Sequence, residues 1–162
     1  DNETATKVYL VNGGKETSYT FVPDKIIPEL KFGDVIVYNS DSLGRIDAMK
    51  ILFQPTEDKQ PFLEGAASAY EACYGMVYEK FPNVVTMLTD LSKKDNAKLS
   101  DLEPYMINSF SRIYLVDMKE EEVRLGSTAD IFSYEMDPEN ASMMFLKLYY
   151  DNPKEAIIFK WK

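Results

Sequence analysis

The N-terminal third of the chain alternates short apolar runs with turn-forming residues, a pattern typical of β-hairpins. Strands are predicted at residues 6–12 and 16–22. Asn12-Gly13-Gly14 between them predicts a hairpin turn, because glycine readily adopts positive φ. Two further strands are predicted at 35–38 and 45–53, joined by a loop rich in Asn, Asp, Ser and Gly.

The pattern changes after Pro61. Apolar residues recur at three- and four-residue spacings across 62–81, which predicts a long amphipathic helix that ends before Pro82. A shorter helix is predicted at 84–91, although an apolar run of this length is also compatible with a strand. Another short helix is predicted at 101–110, where a capping-box pattern precedes the first turn.

The remaining sequence predicts a β-meander. Its strands are expected at 112–117, 123–134, 143–150 and 156–161, with charged or polar turns between them. The order of strands, helix and strands predicts an α+β fold, in which a central helix is inserted between N-terminal and C-terminal strand groups that share one mostly antiparallel sheet. We expect a single globular domain over residues 1–162, with residues 1–6 as a disordered leader.

Composition and charge narrow the possible partners. The chain of 162 residues is 45% hydrophobic, as expected for a soluble folded domain, and carries a net charge of −9. This acidity argues against nucleic acid and anionic membrane surfaces as partners. No apolar run is long enough for a transmembrane helix, so no membrane span is predicted. With no His and one Cys, no catalytic residue, metal site or cofactor is assigned.

Three tyrosines form the one candidate ligand-binding set. Tyr70, Tyr74 and Tyr78 lie four residues apart on the predicted helix, so their rings would form a ladder along one face. Such a ladder could bind a sugar or an apolar protein partner. The same spacing is also compatible with packing at the rim of a core, with each hydroxyl in water.

Other chemically suggestive residues have simpler explanations. Cys73 is predicted to be buried and inert on the central helix. Residues 39–47 resemble a calcium loop, but Lys50 stands where the last ligand is needed, so a hairpin tip is predicted. The acidic run Glu120-Glu121-Glu122 and the pair of Asp137 and Glu139 could supply an acid and a base, yet they fall in predicted turns, where charge is normally solvated.

The polar start at Asp1, the lack of His, the many Tyr, Asp and Lys residues, and Asp41-Ser42-Leu43 resemble small exported lipoproteins of gut Bacteroidales. Asp41-Ser42-Leu43 is similar to the O-glycosylation signal of such proteins. This resemblance implies a periplasmic or cell-surface location, and a lipid anchor attached upstream of Asp1.

Two functions of different classes follow. The first is a non-enzymatic binding or structural module of the bacterial cell envelope, with a protein or carbohydrate partner. The alternative is a carboxylate-dependent hydrolase such as a glycosidase, which would need two acids converging in one cleft.

Overall fold

The computed structural model describes residues 7–57, 70–110, 112–150 and 152–162. The contacts of the chain divide it into two compact units, one ending at residue 59 and the other beginning at residue 60. The leader predicted at residues 1–6 lies outside the described residues. The single domain over 1–162 stays a prediction.

The first hairpin of the N-terminal unit follows directly from its turn residues. Strands β1 (Lys7–Asn12) and β2 (Lys15–Thr20) are antiparallel, and Asn12 pairs with Lys15. Gly13 and Gly14 between them have φ of 65° and 80°. Two-residue hairpin loops of type I′ require positive φ at both positions, which glycine adopts without a steric penalty. The predicted hairpin is therefore confirmed.

A second antiparallel pair completes the described part of this unit. It consists of β3 (Val35–Ser40) and β4 (Ile46–Phe53), which contains the buried residues Ile46 and Phe53. Tyr19 of β2 lies against Tyr38 of β3 with ring centroids 5.4 Å apart, and the Tyr38 hydroxyl donates a hydrogen bond to the Tyr19 oxygen over 3.3 Å. These two tyrosines link the two hairpins of the unit.

The C-terminal unit contains one mixed sheet of seven strands in the order β7-β6-β5-β10-β11-β8-β9. The strands are β5 (Tyr70–Lys80), β6 (Val84–Leu88), β7 (Leu102–Met106), β8 (Arg112–Asp117), β9 (Glu122–Leu125), β10 (Met143–Tyr149) and β11 (Asn152–Lys160). All neighbours are antiparallel except β11 and β8, which are parallel. Strand β10 lies at the centre, flanked by β5 and β11.

One face of this sheet carries the main hydrophobic core. Its buried members are Val77, Val85, Met87, Ile107, Ile113, Ile131, Met144, Leu146, Leu148, Ala156 and Ile158. The alternation of strand side chains places Phe145 and Phe159 on the opposite face, and both of these rings are also buried. Central strands of this kind have apolar residues on both faces, so their sequences do not show a clean alternation.

The prediction of an α+β fold with a central helix is wrong. Residues 70–80 of the predicted helix form strand β5, and residues 62–69 lie outside the described part. The segment 84–91 contains strand β6, and 101–110 contains strand β7 between short 3₁₀ turns. No described helix reaches seven residues, so the fold is mostly β.

The expectation of one sheet shared by both strand groups is also wrong. The described N-terminal strands form two-stranded sheets of their own, and the seven-stranded sheet begins at Tyr70. Within the described ranges, no helix has the length and apolar character needed to cross a membrane.

Candidate functional site

The predicted tyrosine ladder lies on strand β5, where residues four apart point to the same face unless a bulge intervenes. The side chain of Tyr70 lies outside the described part of the structure. Tyr74 is half-buried and meets Phe159 edge-on, with ring centroids 6.1 Å apart. Burial raises the pKa of Tyr74 above its ordinary value, and a hydrogen bond with Trp161 opposes this shift. The Tyr74 side chain therefore packs on the face of the sheet that carries Phe159.

Tyr78 holds a loop against the sheet. A register shift in the pairing of β5 with β6 falls at this residue, and its ring stacks on Tyr134 at 5.4 Å and 22°. The Tyr78 hydroxyl donates to the carbonyl oxygen of Lys94 over 3.1 Å, and the Tyr134 hydroxyl donates to Asp95 over 2.9 Å. The two stacked rings thus fasten the loop that contains Lys94 and Asp95. For Tyr74 and Tyr78, the structure shows internal contacts, and their role as a ligand ladder stays a prediction.

A different pair of tyrosines faces solvent at the turn between β10 and β11. Tyr149 is 37% exposed and Tyr150 is 69% exposed. Their ring centroids are 4.6 Å apart and the ring planes make an angle of 76°, so the edge of one ring points at the face of the other. We call these two residues the Tyr149–Tyr150 platform. Tyr149 ends the central strand and pairs with β5 on one side and β11 on the other, and Tyr150 lies in the turn that follows.

The backbone of Tyr150 is unusual. Tyr149 of β10 pairs with Asn152 of β11, so Tyr150 lies in the turn between the two strands, and it has φ of 46°. Left-handed backbone costs a residue with a Cβ roughly 1–2 kcal/mol. The corresponding loop between β1 and β2 meets the same requirement with Gly13 and Gly14. Local backbone preference therefore does not account for a tyrosine at position 150.

A row of charged side chains lies next to the platform on the same face. Lys147 is two residues before Tyr149 on β10, Glu155 pairs with Lys147 across the sheet, and Arg112 pairs with Glu155 on the other side. Paired residues point to the same face, so positive, negative and positive side chains follow one another across three strands. Lys147 and Glu155 are half-buried and Arg112 is exposed. We call these three residues the charged row.

The calcium-like segment forms the predicted hairpin tip. Asp41 accepts hydrogen bonds from the backbone N–H groups of Leu43 and Arg45, at 3.0 and 2.8 Å, and from the Arg45 guanidinium at 2.8 Å. Gly44 has φ of 77°, as a turn of this kind requires. Burial acts to raise the pKa of Asp41, but the hydrogen bonds from Arg45 and Leu43 outweigh it and lower the pKa below its ordinary value.

The remaining candidates are placed as follows. Cys73 points towards the core from β5, and burial raises the pKa of its thiol, which disfavours the reactive thiolate. The helix predicted for it is wrong, as described above. Glu120 and Glu121 lie exposed in the turn between β8 and β9, whereas Asp137 accepts hydrogen bonds from the side chain of Asn140. The described residues contain no cluster of three or more acidic or sulfur side chains that could hold a metal ion.

No protein-family model, curated protein or solved structure matches this chain. The resemblance to exported lipoproteins, the location and the lipid anchor stay predictions.

The sequence analysis did not single out two of the site residues, Tyr149 and Tyr150. The available signal was two adjacent tyrosines followed by Asp-Asn-Pro, because a turn in this position exposes at least one of the rings.

Proposed function

We propose that this chain is a non-enzymatic binding module whose ligand contacts the Tyr149–Tyr150 platform. The observation that carries the proposal is Tyr150, a 69% exposed ring held on left-handed backbone. Strained residues tend to occur at functional sites, where the side chain is needed despite its energetic cost. Tyrosine is also well suited to binding, because it offers a large rigid surface with few rotatable bonds.

The support beneath the platform favours binding as well. Tyr149 ends the central strand of a seven-stranded sheet, so neighbouring strands fix its backbone on both sides. A preformed contact surface loses little conformational entropy when a ligand binds. Tyr149 therefore offers a ring on a backbone that is already ordered by its neighbours, which favours binding.

The directions of the carboxyl pKa shifts favour a binding function over the hydrolase alternative. A glycosidase acid needs a raised pKa so that it is protonated near neutral pH. The described carboxyl groups with a clear shift all have a lowered pKa, because hydrogen bonds to each carboxylate outweigh the effect of its burial. These groups are Asp41, Asp90, Asp101 and Asp130. They are suited to structural hydrogen bonding.

The test compares one altered ring at the platform with one elsewhere. Tyr150→Asn removes the ring and keeps a residue that tolerates left-handed backbone. Tyr9→Thr removes a ring of similar exposure, 65%, from strand β1 and keeps a residue that strands favour. Both variants and the wild type are applied to arrays of immobilised glycans and peptides. We expect the wild type and Tyr9→Thr to bind the same probes and Tyr150→Asn to lose them. Equal binding by all three proteins, or binding by none, would overturn the proposal.

A further inference from the structure

We infer that the ligand of the Tyr149–Tyr150 platform is a neutral oligosaccharide, an inference that rests on the proposed binding function. It comes from the combination of the platform with the charged row of Lys147, Glu155 and Arg112, since both lie at one end of the same sheet face. The platform supplies apolar surface and the row supplies hydrogen-bonding groups. A sugar ring needs both, because it has C–H faces and a hydroxyl-rich rim.

The ring geometry suits a sugar. An aromatic ring has a negative face and a positive edge. The perpendicular contact of Tyr149 and Tyr150 uses the edge of one ring and one face of the other, so each ring has at least one face outside this contact. The C–H groups of a pyranose carry a small positive charge and match the negative face of an aromatic ring. Tyr150 is 69% exposed, so much of its ring surface is accessible to such a sugar ring.

The charged row suits hydroxyl groups in particular. Lys147 and Arg112 are hydrogen-bond donors and Glu155 is an acceptor, whereas a hydroxyl group is both. Neighbouring strands lie about 4.8 Å apart, so a row across three strands spans about 10 Å. This is comparable with the length of a disaccharide. A carboxylate has several acceptor positions and an ammonium has three donors, so contacts within the row leave capacity for a ligand.

Two other ligand classes fit less well. An apolar peptide covering the platform and the row would take three charged side chains out of water without replacing their hydrogen bonds, which is strongly unfavourable. A polyanion would be attracted by Lys147 and Arg112 but repelled by Glu155 between them and by the net charge of −9. A neutral polyhydroxylated ligand has no charge to be repelled, and its hydroxyl groups replace hydrogen bonds that the charged row loses from water.

The experiment measures binding of defined probes to the full chain by calorimetric titration. The neutral probes are cellohexaose, xylohexaose, mannohexaose and chitohexaose. The comparison probes are polygalacturonate as a polyanion and an apolar peptide of alternating Leu and Pro. Tyr150→Asn and Glu155→Gln are the site variants and Tyr9→Thr is the control, and thermal unfolding confirms that each variant is folded.

We expect at least one neutral oligosaccharide to bind, with an affinity that changes little with salt because the ligand is uncharged. Tyr150→Asn and Glu155→Gln should each weaken that binding by about tenfold or more, and Tyr9→Thr should leave it unchanged. Binding of the peptide or the polyanion alone, lost in Tyr150→Asn, would overturn the carbohydrate inference and leave the binding function standing. Oligosaccharide binding that neither site variant weakens would overturn the assignment of the site, and binding of no probe would overturn both.

Discussion

Gly75 lies too close to the backbone of a neighbouring segment to accept a Cβ without a shift. It is buried in β5, and a Cβ placed on it would lie 2.6 Å from the carbonyl oxygen of Leu88 and 3.2 Å from the Cα of Thr89. Both are backbone atoms of the neighbouring chain segment, so they cannot move without disturbing the pairing of β5 with β6. We therefore expect Gly75→Ala to strain the sheet close to its centre.

The size of the effect follows from two opposing contributions. Overpacking a core costs about 1–3 kcal/mol. Alanine recovers about 0.5–1 kcal/mol, because glycine loses more conformational freedom on folding. Because the contact is with backbone atoms, the overpacking cost lies towards the upper end, at about 2–3 kcal/mol. The free energy of unfolding should therefore fall by about 1–2.5 kcal/mol, which lowers the melting temperature by roughly 2–10 °C in a chain of this size.

The assay is urea unfolding followed by fluorescence of Trp161, the one tryptophan in the chain, which directly follows β11 of the same sheet. Gly126→Ala is the control, because its nearest contact would be the Asp130 side-chain oxygen at 3.0 Å, an atom that can move. Gly126→Ala should have the smaller effect. A change in stability of less than about 0.5 kcal/mol in Gly75→Ala would refute the close approach of the two strands.

Three further predictions concern single side chains. The lowered pKa of Asp41 means that its stabilising effect is complete above about pH 4 and disappears as the pH falls through the folded pKa. The melting temperatures of wild type and Asp41→Asn should therefore converge in acid, and a constant difference would contradict this. Hydrogen bonding to Asp95 raises the pKa of Tyr134, so its effect is complete below about pH 10 and is lost as the pH rises through the folded pKa. Urea unfolding at neutral and alkaline pH should show a smaller loss for Tyr134→Phe than for wild type, and equal losses would refute the link. The Cys73 thiol should react with a bulky thiol reagent more slowly in the native than in the urea-unfolded protein, because it is largely buried and its pKa is raised; equal rates would mean that β5 is not packed as described.

The parts of the fold that sequence could predict are those with local causes. Gly13 and Gly14 require a turn because of their own backbone preference, whatever the rest of the chain does. The same holds for the hairpin tip, where Asp41 satisfies N–H groups only two and four residues away. Neither turn depends on residues distant in sequence, so both can be predicted from the amino-acid sequence.

Strand β5 could not be recognised in this way. Tyr74 and Tyr78 are four residues apart, a spacing that fits a helical turn and is also an even number, as a strand face requires. Gly75, Met76 and Val77 are buried in succession, so the alternation that identifies a half-exposed strand is absent. Strand β6 follows β5 after a short turn, but the neighbour on the other side, β10, is distant in sequence, so the local sequence does not decide the structure. The helix predicted at 101–110 did have a local counterargument in Pro104, which lies within edge strand β7, where a proline is tolerated.

The sequence analysis missed the platform, because the strand expected at 143–150 placed Tyr150 within the sheet. The observed pairing of Tyr149 with Asn152 moves Tyr150 into the turn, where its ring is exposed. The position at which the strand ends therefore decides the matter: a difference of one residue separates an ordinary strand tyrosine from the strained, exposed ring on which the binding proposal depends.

The strain at Tyr150 can be measured separately from the contact between the two rings. Tyr150→Asn relieves left-handed backbone, worth about 1 kcal/mol or somewhat more, but loses a perpendicular ring contact worth about 0.5–1.5 kcal/mol. In the wild-type background the two effects should nearly cancel. In a Tyr149→Ala background the ring contact is already absent, so adding Tyr150→Asn should raise the free energy of unfolding by about 1 kcal/mol. A double variant no more stable than Tyr149→Ala alone would show that the backbone at Tyr150 is not strained, and the argument that its ring is retained for binding would then lose its basis.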